Sequence, residues 1–261
     1  MIAAQRRRAI LRQVRDSGYV EASRLCADLG VDVSTIRRDL DSLARAGLVQ
    51  RTHGGALSSG PPRAVDRPPD LRGPAHAAAK RAIGRAAAGL VVEGDTVALD
   101  AGSTTYALAQ ALSERPNLTV VTNDLRIAHE LAALRQVRLL VVGGELAENG
   151  PFLVGPWAPE LLAGLHVDWA FLGADGLDVA AGVTSDDTPD VPIKRAMLAA
   201  ARSAAVVADS SKFNRRALTT VARVGEFDRL VTDEGLPVAD RAAYGPALVC
   251  AALDETGPDA G

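Results

Sequence analysis

At 261 residues and 48% hydrophobic, the chain is long enough for one large domain or two smaller ones with a sizeable core. Its net charge is −3, yet residues 1–60 hold ten arginines against six acidic residues, a net of +4, so the remainder carries −7. No apolar run approaches the ~18–20 residues that cross a bilayer, and the start MIAAQRRRAI lacks a signal-peptide core. Two distant cysteines (Cys26, Cys250) and four scattered histidines (His53, His76, His129, His166) make neither a disulfide framework nor a metal-ligand cluster. The expectation is a cytoplasmic chain with a basic head and an acidic body, without metal or cofactor.

In chain order, helical periodicity appears over roughly 4–16, 21–29 and 34–46, the first with apolar Ile10, Leu11 and Val14. On the third helix Ile36, Leu40 and Leu43 share one face, and Arg38 points almost opposite them. Ser34 as the cap and Arg45 lie near Arg38, with Thr35 and Arg37 flanking it. This short cationic face, preceded by EASRLCADLGV with Gly30 at a tight turn, has the spacing of a helix-turn-helix whose second helix enters the major groove. Arginine there reaches guanine bidentately, while hydroxyls and the helix N-terminus hold phosphate. The competing reading is a solvated i,i+4 pair between Arg37 and Asp41. LVQRTHGGAL (48–57) reads as a strand and turn, and His53 beside two glycines also fits an ordinary turn histidine.

SSGPPRAVDRPPDLRGP (58–74), with five prolines, reads as an extended linker. Beyond it the strand-like runs TVALD, LTVVT, VRLLVVGG, DWAFLGAD, AAVVAD and RLVTD alternate with helical ones such as YALAQALSE and VPIKRAMLAAARS, the pattern of a parallel α/β sheet. The tail DETGPDAG reads as disordered. After TVALD, Ser103, Thr104 and Thr105 open a helix through Gly102. Free N–H groups and hydroxyls there suit a phosphate, although any helix needs such a cap. TND at 122–124, Gly143 with Gly144, and ADSSKF at 208–213 are further polar clusters at strand ends, where parallel sheets bind ligands. The chain has 26 arginines but only three lysines, Lys80, Lys194 and Lys212. Lys212 after DSS is either placed for an anion or a loop lysine in water.

Residues 6–57 resemble the N-terminal domain of DeoR-type bacterial transcription regulators through AIL (9–11), GYV (18–20), LCADLGVDVSTIRRDLDSL (25–43) and AGLVQRTHGGA (46–56). The resemblance implies a winged helix-turn-helix with Arg51 and His53 leading into the wing and Gly54 and Gly55 at its turn. DNA contact is then expected from Ser34, Thr35, Arg37, Arg38, Arg51 and His53. Residues from about 80 to 252 resemble the DeoR-type sensor domain, related in fold to ribose-5-phosphate isomerase. That likeness implies a phosphorylated-sugar site at Asp100, Gly102, Ser103, Thr104, Thr105, Thr122, Asn123, Gly143, Gly144, Asp175, Lys194, Asp209 and Lys212. Where the family usually has a glutamate before the lysine of K-R-x-M, this chain has Asp190 and Pro192.

The expected architecture is multidomain. A small α+β winged helix-turn-helix (1–57) and a linker (58–74) precede an α/β sensor and oligomerisation domain with a mainly parallel sheet (75–252) and a disordered tail (253–261). The expected partners are operator DNA, a phosphorylated sugar and further copies of the chain, as a dimer or tetramer, in a repressor of carbon metabolism. An isomerase is the alternative, but it needs a carboxylate and an enediolate-stabilising group. LGADGL replaces both outer acids of the isomerases' DGADE with Leu172 and Gly176, leaving Asp175 alone. A DNA-binding structural protein without a ligand would explain the head but not the polar strand ends.

Overall fold

The structure is a computed structural model that describes residues 6, 7, 9–11, 13, 14, 19–45, 48–52, 54–58 and 74–253. His53, nearly all of the expected linker and the tail from 254 lie outside the described residues. The chain divides into two compact units, one holding the elements up to residue 58 and the other those from residue 74 onward.

The first unit runs from α1 (helical residues between 6 and 14) through β1 (Tyr19–Glu21), α2 (Ala22–Leu29), α3 (Val33–Arg45) and β2 (Val49–Arg51) to β3 (Gly55–Ser58). Ile10, Val14, Leu25, Ile36, Leu40 and Leu43 pack with Val20, Val49 and Ala56 into one core, as the periodicity of the three helices requires. Burying each large aliphatic side chain contributes roughly 1.5–3 kcal/mol against the entropy of ordering the chain. The strands form an antiparallel sheet in the order β1-β3-β2. The sequence pattern did not call for β1, a three-residue strand too short to show alternation. Its presence explains Gly55, where a Cβ would lie 2.1 Å from the Val20 carbonyl oxygen, so close approach rather than turn geometry demands that glycine.

The second unit contains α4 (Pro74–Ala88), β4 (Thr96–Leu99), α5 (Ser103–Leu112), β5 (Leu118–Thr122), α6 (Leu125–Ala132) and β6 (Val137–Val141). β7 (Glu145–Leu146), β8 (Leu153–Val154), α7 (Trp157–Leu162), β9 (Val167–Leu172), β10 (Gly176–Asp178) and β11 (Gly182–Ser185) follow. The unit closes with α8 (Val191–Ala200), β12 (Ala201–Val207), β13 (Thr219–Ala222), β14 (Arg229–Asp233), α9 (Val238–Arg241) and β15 (Leu248–Ala251).

Seven strands form a wholly parallel sheet in the order β15-β14-β12-β9-β4-β5-β6. Successive residues feed two cores. Val97, Leu99, Phe171 and Val207 face α4, α5 and α6, while Ala98, Ala170, Leu172 and Val206 face α7 and α8. Because both faces are covered, the strands read as continuous apolar runs. β10, β11 and β13 make a separate antiparallel sheet and β7–β8 a two-stranded one. The helical pattern expected to run to Ser203 stops at Ala200, because Ala201 already pairs with Val167 of β9. Among the described residues no helix is long and apolar enough to cross a membrane.

Chain order reverses between β4 and β9: β5 and β6 lie on one side of β4, and β9, β12, β14 and β15 on the other. The crevice beyond the strand carboxyl ends at such a reversal is where open α/β sheets bind ligands.

Candidate functional site

In the first unit, α3 presents Arg37 and Arg38 to solvent, opposite the buried Ile36, Leu40 and Leu43, as its periodicity predicts. The cap differs from expectation. Asp32, not Ser34, closes the helix N-terminus: its Oδ1 accepts from the Thr35 N–H (2.9 Å) and the Ser34 hydroxyl (2.6 Å), and its Oδ2 from the Thr35 hydroxyl (2.9 Å). The Ser34 hydroxyl above all, then the Thr35 amide and hydroxyl, hold the Asp32 carboxyl well below the usual carboxylate range. Arg38 Nη2 donates to Ser34 Oγ at 3.3 Å.

The surface pair between Arg37 and Asp41 does not form. Asp41 instead accepts from Arg51 Nε (2.9 Å), whose Nη1 also donates to the Gly55 carbonyl (3.1 Å), joining α3 to the β2–β3 wing. Asp39 is a further feature, absent from the sequence-based site. It is 4% exposed and accepts from Arg6 Nε (2.5 Å) and Arg7 Nε (3.1 Å), fastening α1 to α3. An acid three residues after Ile36, on the apolar stripe, was the available signal that a cation, here Arg6 and Arg7, folds back onto it.

In the second unit most of the expected residues gather at the carboxyl edge of the sheet. The register pairs Leu99 with Thr122, so Asp100 and Asn123 leave neighbouring strands side by side. Lys194 Nζ donates to Asp100 Oδ2 and lies 3.1 Å from Asp190 Oδ2. Gly173 N–H donates to Asp100 (2.9 Å), and Asn123 Nδ2 to Asp190 (3.3 Å) and the Leu153 carbonyl (3.0 Å). All four side chains are buried, and Asp100 Oδ1 and Asn123 Oδ1 accept no hydrogen bond. Asp190 thus occupies the acid position where the sequence departs from the family pattern. Burial pushes the Asp100 carboxyl up to about 7 against the pull of Lys194. Burial also works against the Lys194 ammonium, but Asp100 and Asp190 outweigh it and raise that group.

Several expected ligand groups turn inward. Thr105 Oγ1 donates to the Gly102 carbonyl (2.9 Å), Thr122 Oγ1 accepts from the Asp124 N–H (3.1 Å), and Thr104 is 8% exposed. Gly102 N–H donates to Asp124, which also caps α6 and takes a fork from Arg126. A Cβ on Gly144 would sit 1.9 Å from the Val154 carbonyl oxygen, so this glycine serves close packing, while Gly143 borders open space. Across the switch point, Asp209 caps the turn over 210–212 and has His76 Nδ1 at 3.7 Å. Lys212 Nζ is 3.9 Å from Asp175, which accepts from the Ser185 hydroxyl and the Asp186 N–H.

Between α4 and α5 lies a cavity of about 300 Å³ lined by Lys80, Arg81, Ser103, Tyr106 and Gln110, together with Ala77 and Ala107. Of the expected site residues only Ser103 reaches it. Lys80 and Arg81 were not expected, although Lys80 stood out as one of three lysines. Tyr106 donates to Glu130 at 2.7 Å, which fixes that wall.

A winged, helix-turn-helix-bearing unit joined to a doubly wound α/β unit with a polar switch point defines a two-part regulator, and the two parts match one family. Residues 6–61 match the DeoR-like helix-turn-helix domain and residues 75–234 the DeoR C terminal sensor domain. The chain belongs to the DeoR family; it is a DNA-binding transcription regulator and not an enzyme. Among its relatives, transcriptional repressor AccR of Agrobacterium fabrum is 38% identical over 231 residues, 88% of this chain and 89% of that one. The glycerol-3-phosphate regulon repressor of Escherichia coli K12 is 33% identical over 239 residues, 92% of this chain and 94% of that one. Ribose 5 phosphate isomerase A from Neisseria gonorrhoeae aligns over 52% of this chain and 53% of that chain at 17% identity, with a TM-score of 0.39, too distant a likeness to bear on function.

Proposed function

We propose that the protein is a cytoplasmic repressor of a carbon-metabolism operon, released from its operator by a phosphorylated sugar at the carboxyl edge of the parallel sheet. The observation that carries this reading is the cavity where Lys80 and Arg81 meet Ser103 at the start of the ten-residue helix α5. Two cations and a helix N-terminus favour a phosphate. The sugar then extends along the switch point toward Asp175 and Asp209, whose carboxylates accept from hydroxyls, and Lys212, whose ammonium donates to them. Asp100, Asn123 and Lys194 form the floor beneath it, with Gly102, Thr104, Thr105, Thr122, Gly143 and Gly144 shaping the loops. The relatives' names support the repressive sign, and one of them, a glycerol-3-phosphate regulon repressor, is in keeping with the metabolism of phosphorylated small molecules.

In the head, residues 1–57, Arg38 reads base edges while Arg37 and Arg51 meet phosphates. Ser34 and Thr35 shape the first turn, and His53 belongs to the wing strand by resemblance. A head with a net charge of only +4 offers few phosphate contacts, so two or more heads act together on repeated half-sites, held by a dimer or tetramer of the body at 75–252. The test is an operator-binding titration of the full chain with a panel of sugar phosphates, repeated on Lys80→Ala, alongside sedimentation at micromolar concentration. Operator binding that ignores every phosphorylated sugar would sink the effector assignment, and a strict monomer would sink the assembly.

A further inference from the structure

The acid that caps α3 touches both hydroxyls of its first turn, and one of those hydroxyls touches an arginine. Asp32 accepts from Ser34 at 2.6 Å and from the Thr35 hydroxyl at 2.9 Å, and Ser34 Oγ accepts from Arg38 Nη2 at 3.3 Å. We propose that Asp32 is a positioning residue for base readout, acting through Ser34 to hold the Arg38 guanidinium in one orientation on the exposed face of α3. This inference rests on the reading of Arg38 as the base-contacting residue.

A serine hydroxyl has one proton and two lone pairs. A guanidinium only donates, so Ser34 always accepts from Arg38; with the Ser34 proton given to Asp32, the hydroxyl rotor is fixed and its lone pairs stay available to Arg38. Without the carboxylate the hydroxyl rotates freely, and the arginine loses its fixed acceptor on the helix surface. Orienting a flexible side chain before binding lowers the ordering cost that binding must otherwise meet. For a bidentate contact to a guanine edge, orientation decides discrimination as much as charge does. The donors around Asp32 keep it ionised throughout the physiological range. Its charge also makes this helix N-terminus a poor phosphate seat, and the Ser34 and Thr35 hydroxyls already donate inward. The turn is therefore organised to aim Arg38 at bases and not to clamp the backbone.

The test begins with selection of duplexes from a randomised library by the full chain. Affinities for the selected duplex and for a scrambled one are then measured by anisotropy for wild type, Asp32→Ala, Asp32→Asn, Arg38→Ala and the Asp32→Ala/Arg38→Ala double variant. Asn keeps the oxygen that takes both the Thr35 amide and the Ser34 hydroxyl and loses only the acceptor of the Thr35 hydroxyl, so it removes the charge while preserving the cap and most of the relay. Asp32→Ala is expected to lower the ratio of selected to scrambled affinity roughly threefold to tenfold. Asp32→Asn should lower it by less, and the Asp32 effect should vanish once Arg38 is Ala. Equal weakening on both duplexes, or the same loss of ratio with and without Arg38, would overturn the relay while leaving base reading by Arg38 intact. An unchanged ratio in Arg38→Ala alone would overturn the base-reading assignment itself.

Discussion

Asp41, on the outer face of α3, sits in water, whereas Asp100 and Asp190 at the sheet edge are sealed. Asp41 is 55% exposed where it holds Arg51, an arrangement that contributes ~0–1 kcal/mol and can be exchanged for a DNA phosphate at little cost. Asp100 and Asp190 meet Lys194 out of solvent, where the Coulombic gain must offset a large desolvation penalty and neither side can change partner cheaply. The two pairs thus handle charge differently. Arg51, proposed to meet a DNA phosphate, is held loosely, and Lys194, beneath the proposed effector site, is locked.

Removing the locked cation gives the largest effect expected from this contrast. Lys194→Met leaves the buried Asp190, and Asp100 once it ionises, without a cation and should cost about 3–5 kcal/mol in urea unfolding of the full chain above pH 7. A loss below about 1 kcal/mol would erase the distinction between the two pairs. Lys212→Ala should shift the sugar-phosphate concentration needed for release by more than about tenfold, since a hydrogen bond to a charged group contributes ~1.5–3 kcal/mol, without weakening operator binding in its absence. An unchanged response curve would remove Lys212 from the effector. Arg38→Ala should cost ~1–3 kcal/mol on the operator and relax base preference. Arg51→Ala should weaken all sequences alike and reduce the salt slope by about 1, with a stability change of ~0–1 kcal/mol; sequence-selective weakening would instead place it among the base readers.

The remaining test is a pH dependence. The folded Asp100 value, about 7, lies above its ordinary 3.8, so its contribution to stability is full below about pH 4 and is lost as pH rises toward 7. Asp100→Asn should flatten that decline in thermal unfolding scans between pH 4 and 7. An identical slope in variant and wild type would mean that Lys194 keeps Asp100 ionised across the range.

The six expected strands and the core face of α3 were legible because periodicity reports burial directly: continuous apolar runs mark strands covered on both faces, and Ile36, Leu40 and Leu43 mark a stripe. β1, β10, β13 and β15 were not, since strands of three or four residues carry too little alternation and their partners lie far along the chain. The solvent-facing arginines of α3 were visible as types at a spacing, but the acceptors that hold the head's arginines were not. Nothing local says that Asp41 serves Arg51, or that Asp32 rather than Ser34 closes the helix. At the sheet edge the loops were recognisable one by one, whereas the α4 contribution of Lys80 and Arg81 depends on how α4 packs against α5. No residue pattern within either helix records that packing.

The three lysines share one further property. Lys80 is 6% exposed, and the side chains of Lys194 and Lys212 are 5% and 12% exposed, all in the sensor unit, while the head carries its positive charge on arginine. Side-chain amine chemistry in this protein therefore has almost no surface outside the proposed effector site on which to act. A slow amine-modifying reagent becomes a local probe of that site, with mass-resolved labelling at Lys80 and Lys212 reporting occupancy directly while the arginine-borne DNA surface stays unmodified.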